Sequence, residues 1–258
     1  MDERAVVTGF LYNDGKVLLL RRSEAVGSYQ GCWGGVAGHV EDHDTPPDAV
    51  HAEIREETGR DPDSLSLVRS GDSFSVSDAD LGIRWTVHPF LFDCPSRTVE
   101  LDWEHDALEW VAPTAILDRE TVLQLWQSYD RVRPTVELIE TDQEHGSAAI
   151  SVAALGVLRD EAGLLRTAAE GSEFDAVGSV ARTLLAARPS MYVLTNRINR
   201  VMATTGTEPA AVESAAIAEI ERARSADTRA ADALQSSLEG ARVGTLSRSG
   251  TVLQALQR

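Results

Sequence analysis

The stretch GHVEDHDTPPDAVHAEIREETGR, residues 38–60, predicts a short helix with clearly marked ends in the first half of the chain. Thr45 stands before Pro46 and Pro47, a pattern typical of a helix start because proline is tolerated in the first turn. Gly59 predicts the end, since glycine readily adopts the left-handed conformation that terminates helices. The helix is therefore expected between Thr45 and Gly59.

An acidic face is the main feature of this helix. Glu53, Glu56 and Glu57 are three and four residues apart, so at about 100° per residue they share one side. Val50 and Ile54 lie beside that side and can anchor the helix to a core. Like charges at these spacings cost roughly 0.2–0.5 kcal/mol per pair. A divalent cation with oxygen ligands, Mg²⁺ or Mn²⁺, removes this cost and favours a metal site.

The same glutamates also fit a solvated acidic face, because the chain contains 41 acidic residues. In that interpretation Arg60 pairs with Glu56 or Glu57 and reduces their repulsion. For three glutamates alone the solvated face is the better interpretation, so the wider segment has to decide between the two.

The segment resembles the Nudix signature G-x5-E-x7-R-E-U-x-E-E-x-G-U, in which U is a bulky apolar residue. Three positions depart from the signature: Asp44 stands for its first glutamate, Ala52 for its arginine and Arg60 for its last apolar residue. The flanking KVLLLRR and LEWV segments also look like family strands, so the resemblance covers about residues 4–130. The positions that match in register are Gly38, Glu53, Ile54, Glu56, Glu57 and Gly59.

This resemblance implies roles for individual residues. Glu53, Glu56 and Glu57 are the expected metal ligands and catalytic carboxylates, and the Gly38 region is expected to offer a backbone carbonyl to the metal. In the family the signature arginine orients the first glutamate of the box. Ala52 therefore leaves open a second interpretation, in which the domain binds nucleotide without cleaving it.

Three further residues are candidates for substrate binding. Arg22 ends the KVLLLRR segment, Trp33 lies in a glycine-rich stretch, and Glu104 precedes the late LEWV segment. Some Nudix enzymes take an additional carboxylate from this last region. Trp33, Trp85 and Trp110 can stack on a base, although such tryptophans are more often core or half-buried strand residues. In the competing interpretation, Glu104 is an ordinary exposed acidic residue of a loop.

The first half predicts strands around one helix. Two strands, at residues 4–11 and 16–22, are predicted to form a hairpin through the turn Asn13-Asp14-Gly15. Further strands are predicted at 65–76, 84–92 and 108–111, and a closing helix at 114–129. The expected fold class is α+β. A Nudix α/β/α sandwich with a mixed sheet occupies residues 1–133, and a mostly helical domain occupies 134–258.

The second half is rich in alanine and leucine with helical periodicity. Helices are predicted at 147–160, 174–187, 191–202 and 209–238, the last with a possible break near Ser225. The segments at 145–160 and 187–202 resemble the helical region of the initiation factor 2B alpha/beta/delta-like family, which includes sugar-phosphate isomerases. This resemblance implies an interface with a second copy or with a partner chain.

The end of the second half resembles the opening of that family's Rossmann-like unit. GTLSRSGTVLQAL, residues 244–256, looks like its first strand, loop and helix. The domain is expected to be truncated there, without the family's catalytic cysteine and aspartate. Residues 247–250 fit either a phosphate-binding turn or a plain turn.

Composition limits the functional classes. The formal net charge of −17 argues against general nucleic-acid binding. Lys16 is the only lysine, which favours a salt-adapted, halophilic protein over an arginine-rich codon bias. Two cysteines make no disulfide framework, and no apolar run is long enough to span a membrane, so a cytoplasmic location is expected.

Together these features predict a Mg²⁺-dependent hydrolase that cleaves a nucleoside diphosphate linked to another group. Two alternatives remain open at this point: a catalytically weakened nucleotide sensor, and an assembly subunit of an initiation factor 2B-like or isomerase-like protein.

Overall fold

The computed structural model describes residues 2–41, 43–168 and 175–238, together with positions 244, 252, 255 and 256. The chain forms two compact units, one ending at Arg133 and the other starting at Pro134. None of the described helices is both long and apolar enough to cross a lipid bilayer.

The first unit is built on a mixed sheet, with eight strands in its described part. The strands are β1 (Asp2–Asn13), β2 (Lys16–Arg22), β3 (Trp33–Gly34), β4 (Val36–His39), β5 (Ser66–Ser70), β6 (Phe74–Asp78), β7 (Ile83–Asp93) and β8 (His105–Val111). Its helices are α1 (Pro46–Thr58), α2 (Leu125–Asp130) and the 3-10 turns Pro62–Ser64 and Pro113–Asp118.

The central strand β1 organises this sheet. It pairs in parallel with β7 along its whole length, from Asp2↔Ile83 to Tyr12↔Asp93. Its other edge is shared, because β2 pairs with it only at the hairpin end and β4 pairs with Val6 to Gly9. The predicted hairpin is confirmed: Asp14 and Gly15 both have positive φ, as a two-residue turn of this kind requires.

A helix layer covers each face of the sheet, which confirms the expected α+β sandwich. On one face Val50 and Ile54 of α1 pack in a fully buried cluster that includes Val7 and Phe92. On the other face Leu125 and Tyr129 pack against Phe10 and Leu91. The sheet therefore has a core on both sides.

Helix α1 has the predicted ends. The hydroxyl of Thr45 accepts a hydrogen bond from the Asp48 backbone N–H at 3.4 Å. Gly59 is left-handed with φ of 66°, and its N–H donates to the carbonyl of Arg55. These caps fix the register of the acidic face, because one residue of displacement would rotate it by about 100°.

Two predicted elements of the first half are wrong in detail. The closing helix at 114–129 is instead a 3-10 turn, an extended segment in which Thr121 bridges Trp33, and the short α2. Gln124 interrupts it, because its φ of 57° is incompatible with a continuous helix. The strand predicted at 65–76 is two strands, separated where the Gly71 N–H donates to Pro89.

The second unit is helical, as predicted. Its helices are α3 (Val136–Thr141), α4 (Ser147–Thr167), α5 (Ala176–Ala187), α6 (Tyr192–Thr205) and α7 (Pro209–Leu238). Helix α7 is continuous, so the break considered near Ser225 is absent from it. The strand, loop and helix expected over 244–256, including the turn at 247–250, lie outside the described residues, apart from positions 244, 252, 255 and 256.

Loss of the Thr45 cap will destabilise the first unit. Thr45→Ala is expected to lower the free energy of unfolding by about 1 kcal/mol, because the Asp48 N–H loses its acceptor. Denaturant unfolding followed by tryptophan fluorescence measures this, since all five tryptophans lie at positions 33, 85, 103, 110 and 126. Thr45→Ser keeps the hydroxyl and serves as control. An equal loss in the serine variant would show that the cap is not responsible.

Candidate active site

A pocket of about 500 Å³ opens in the first unit and has two chemically different ends. Its polar end is lined by Arg22, Gly38, Glu53, Glu56 and Glu104. Its apolar end is lined by Val6, Val76, Trp85, Val87 and Leu123. A pocket of this size accommodates a compound with both a charged and an apolar part.

The three glutamates of α1 lie on one face of the helix but differ in exposure. Glu53 is half-buried and Glu56 is exposed, and both line the pocket. Glu57 is only 2% exposed. The buried Ile54, between them in sequence, holds α1 against the sheet. The acidic face therefore runs from solvent at Glu56 to the protein interior at Glu57.

Gly38 of β4 allows Glu53 to approach the sheet closely. A Cβ atom added at Gly38 would lie 1.7 Å from the Glu53 Oε1 atom and 2.0 Å from its Cδ atom. No side chain fits between the strand and this carboxylate. The glycine therefore places the Glu53 carboxylate directly against the backbone of β4.

The Glu57 carboxylate is buried but accepts only weak hydrogen bonds. Its hydrogen bonds come from the Ala37 backbone N–H, at 3.3 Å to Oε2 and 3.5 Å to Oε1, which are long distances. Burial raises the pKa of Glu57 well above its usual range, and the neighbouring Glu53 charge adds to the effect. A cation at this position would stabilise the ionised form, so these residues fit a divalent metal.

The carboxylates are not yet gathered around a single point. Within the described ranges, no three His, Cys, Asp or Glu side chains converge closely enough to hold a metal ion. Glu56 is exposed on α1 whereas Glu57 is buried, so the carboxylates lie at different depths in the domain.

Arg22 and Glu104 meet at the same end of the pocket. An Arg22 guanidinium nitrogen lies 4.0 Å from a Glu104 carboxylate oxygen. The Nε atom of Arg22 donates to the Ser28 carbonyl at 3.0 Å, and the Ser23 N–H donates to the Glu104 carbonyl at 2.7 Å. These bonds hold a positive and a negative group beside the acidic face of α1.

Trp33 is placed differently from these residues. It lies on β3 with its ring packed against the cluster around Phe10, and the Arg119 guanidinium lies 4.5 Å from the ring centroid. It is not among the residues that line the pocket. Trp85, another of the tryptophans considered for stacking on a base, lines the pocket instead.

The three departures from the Nudix signature are also visible. Asp44 is exposed before α1, and Ala52 is half-buried on it. Arg60 donates to the carbonyl and hydroxyl of Ser96, at 2.6 and 3.0 Å. These hydrogen bonds direct Arg60 to Ser96, whereas the sequence suggested a pair with Glu56 or Glu57.

Sequence reasoning missed Tyr29 and Asp78. Tyr29 lies in the loop between β2 and β3, lines the pocket and donates its hydroxyl hydrogen to the buried Asp78 carboxylate. The residues are 49 positions apart. Neither has a local signal in the sequence beyond the surrounding turn-forming residues, so only the fold brings them together.

Comparisons with known proteins agree with this division of the chain. Residues 2–135 match the NUDIX domain family, and residues 143–258 match the initiation factor 2 subunit family. A nucleoside triphosphatase NudI from Escherichia fergusonii is 32% identical over 123 residues, which cover 44% of this chain and 84% of the relative. The protein of the same name from Escherichia coli O139:H28 is 31% identical over 123 residues, which again cover 44% of this chain and 84% of the relative.

A crystal structure of a MutT NUDIX hydrolase from Burkholderia pseudomallei is also similar. It is 24% identical, with a TM-score of 0.41, and the match covers 51% of this chain and 99% of that chain. The family match over residues 2–135 includes α1 and the whole pocket. The chain belongs to the Nudix family, and a domain of the initiation factor 2 subunit family follows its Nudix domain.

Proposed function

We propose that the first unit is a Mg²⁺-dependent hydrolase that cleaves the phosphoanhydride bond of a nucleoside diphosphate linked to another group. Nucleoside triphosphates fall within this class, and relatives of the chain carry the name nucleoside triphosphatase. The observation that carries the proposal is the buried Glu57 carboxylate, which lies next to Glu53 with only long backbone hydrogen bonds.

The proposed metal ligands are Glu53, Glu56 and Glu57, with a backbone carbonyl from the Gly38 region; Mn²⁺ would satisfy the same oxygen ligands. Supporting this assignment, Gly38 leaves no space between β4 and the Glu53 carboxylate. A bound Mg²⁺ would polarise a phosphoryl oxygen and lower the pKa of an attacking water.

The remaining polar groups of the pocket have distinct proposed tasks. Arg22 binds the substrate's phosphate oxygens, since its guanidinium faces the polar end and is oriented by Ser28 and Glu104. Glu56, which is exposed at the pocket, accepts the proton of the attacking water. Glu104, at the same end of the pocket, is the second carboxylate that could accept this proton.

A nucleotide sensor is the second candidate. The observation that favours it is Ala52, because no guanidinium at this position orients Glu53. In this alternative the Nudix domain binds nucleotide without turnover and signals through the helical domain. We expect that helical domain to contact a second copy or a partner chain, in a cytoplasmic protein. A third possibility, an assembly subunit, predicts a stoichiometric partner and no metal binding by the Nudix domain.

Turnover of a panel of nucleoside triphosphates and nucleoside diphosphate conjugates with Mg²⁺ separates these candidates. For a hydrolase, Glu56→Gln is expected to lower kcat by about 100-fold or more, because the amide can neither accept the proton nor bind the metal as a charged ligand. Glu3→Gln, an exposed change on β1, is the matched control and should have wild-type kcat. Nucleotide binding without turnover by the wild type would instead support the sensor.

Gly38→Ala tests the proposed metal site from the sheet side. The added Cβ displaces the Glu53 carboxylate, which is flexible, so the fold should persist while the Mg²⁺ concentration for half-maximal turnover rises about tenfold or more. Gly244→Ala is the control, because a Cβ there meets nothing within 4 Å. An unchanged Mg²⁺ dependence in Gly38→Ala would remove Glu53 from the metal site.

Glu57 should make the metal-free protein less stable at higher pH. Its pKa is raised in the folded state, so the folded protein binds this proton more tightly than the unfolded chain. Stability is then greatest below the ordinary glutamate pKa of about 4.3 and decreases as pH rises toward the raised value. Glu57→Gln should remove this decrease in unfolding experiments in EDTA. Added Mg²⁺ should raise the stability of the wild type at high pH and leave that of Glu57→Gln unchanged. A wild type whose pH dependence equals that of Glu57→Gln would contradict this account.

A further inference from the structure

The apolar end of the pocket is formed by side chains of β1, β6 and β7 on one face of the sheet. Val6 of β1 is in register with Val87 of β7, and Val76 of β6 is in register with Trp85 of β7. Helix α2 packs farther along the same face, against Phe10 and Leu91, and its Leu125 and Ser128 also line the pocket. These side chains give the pocket an apolar floor next to its polar end.

Trp85 gives this floor an aromatic surface. Its ring centroid lies 5.8 Å from that of His39, which follows Gly38 on β4 and also lines the pocket. The indole nitrogen Nε1 of Trp85 is buried, and the side chain of Trp85 lies next to that of Tyr29. A ring that lies on the apolar floor and contacts His39, the residue after Gly38, is positioned to contact a group joined to the phosphates.

Tyr29 forms a wall of the pocket beside Trp85 and is held in place by Asp78. Its φ of 54° is in the left-handed region, which non-glycine residues rarely adopt and which is common at ligand-binding sites. Its hydroxyl donates to Asp78, whose carboxylate also accepts the Asp80 and Leu81 N–H groups at 3.0 Å each.

The charge states of this pair keep the contact formed. Burial, and then the bond to Asp78, raise the pKa of Tyr29, so its hydroxyl stays protonated and donates. The same bond lowers the pKa of Asp78, which stays ionised. In the loop, the Gln30 side-chain amide donates to the carbonyls of Glu24 and Val26 at 2.9 Å. The wall therefore exists before a ligand binds.

We propose that Trp85 is a specificity-determining residue on which the nucleobase of the substrate stacks, and that Tyr29 and Asp78 form a positioning pair for this subsite. The inference rests on the proposed function, because it assigns the base of the nucleotide to the apolar end while the phosphates occupy the polar end. An aromatic floor favours a base over a sugar or an aliphatic group, since stacking needs a planar π face.

Binding of compounds without a phosphoanhydride bond tests this subsite independently of hydrolysis. Isothermal titration calorimetry of the full chain measures the Kd of the four common ribonucleoside 5′-monophosphates and of ribose 5-phosphate, which lacks a base. Trp85→Leu is expected to weaken binding of the preferred monophosphate about tenfold, while ribose 5-phosphate binds as to the wild type. Trp85→Phe, which keeps a ring face, should recover most of the affinity.

Two further variants separate positioning from folding. Tyr29→Phe loses the bond to Asp78 and should weaken monophosphate binding by a smaller factor, again without a change for ribose 5-phosphate. Trp126→Leu is the control, because this half-buried tryptophan contacts Tyr129 and does not line the pocket. With any triphosphate that is hydrolysed, Trp85→Leu should raise KM and leave kcat close to the wild-type value.

The outcomes distinguish this proposal from the function on which it rests. Equal weakening of monophosphate and ribose 5-phosphate binding would show that Trp85 acts only through the fold and would overturn the subsite. Unchanged monophosphate binding in Trp85→Leu would place the base elsewhere, even if the wild type hydrolyses nucleotides. Base-dependent binding without any turnover would keep the subsite and reject the hydrolase.

Discussion

Burial of the Glu57 carboxylate beside Glu53 is the constraint that organises the Nudix domain around its pocket. A carboxylate removed from water needs strong hydrogen bonds or a nearby cation, and the backbone N–H of Ala37 offers only long contacts. The helix that holds Glu57 must therefore be fixed by other means. Val50 and Ile54, both fully buried, provide that fixation and keep the carboxylates at the pocket.

The shared edge of β1 explains how the acidic helix and the pocket come to lie together. Strand β2 leaves β1 after the hairpin, and β4 takes its place beside Val6 to Gly9. This substitution brings Gly38 next to β1 and under Glu53 of α1. The same strand continues into His39, which contacts Trp85. The polar and apolar ends are thus joined by two consecutive residues of one short strand.

Local signals in the sequence predicted the elements whose ends are set by their own residues. Helix α1 and the β1–β2 hairpin were predictable, because Thr45, Gly59 and the Asp14-Gly15 turn act within a few residues. The segment at 114–129 was not, because the bridge of Thr121 to Trp33 is a contact between distant parts of the chain that outweighs helical periodicity. Apolar spacing alone cannot report such a contact.

The candidate site divides in the same way. The signature spacing placed Glu53, Glu56 and Gly38 at the pocket, since a motif within one helix and its approach strand is encoded locally. The unequal exposure of the three glutamates depends on where α1 meets the sheet, so it emerges only from the packed structure. Tyr29 and Asp78 share no motif, and their contact exists only because β6 pairs with β7 near the β2–β3 loop.

The parallel ladder between β1 and β7 has a consequence for how the domain folds. Its partners, such as Val6 and Val87, are about 80 residues apart in the chain, so a long loop must close before the ladder forms. Contacts of such large sequence separation slow folding. During synthesis one edge of β1 therefore stays unpaired until the ribosome has released β7. The hairpin with β2, which needs only neighbouring residues, can form and protect part of the other edge in the meantime.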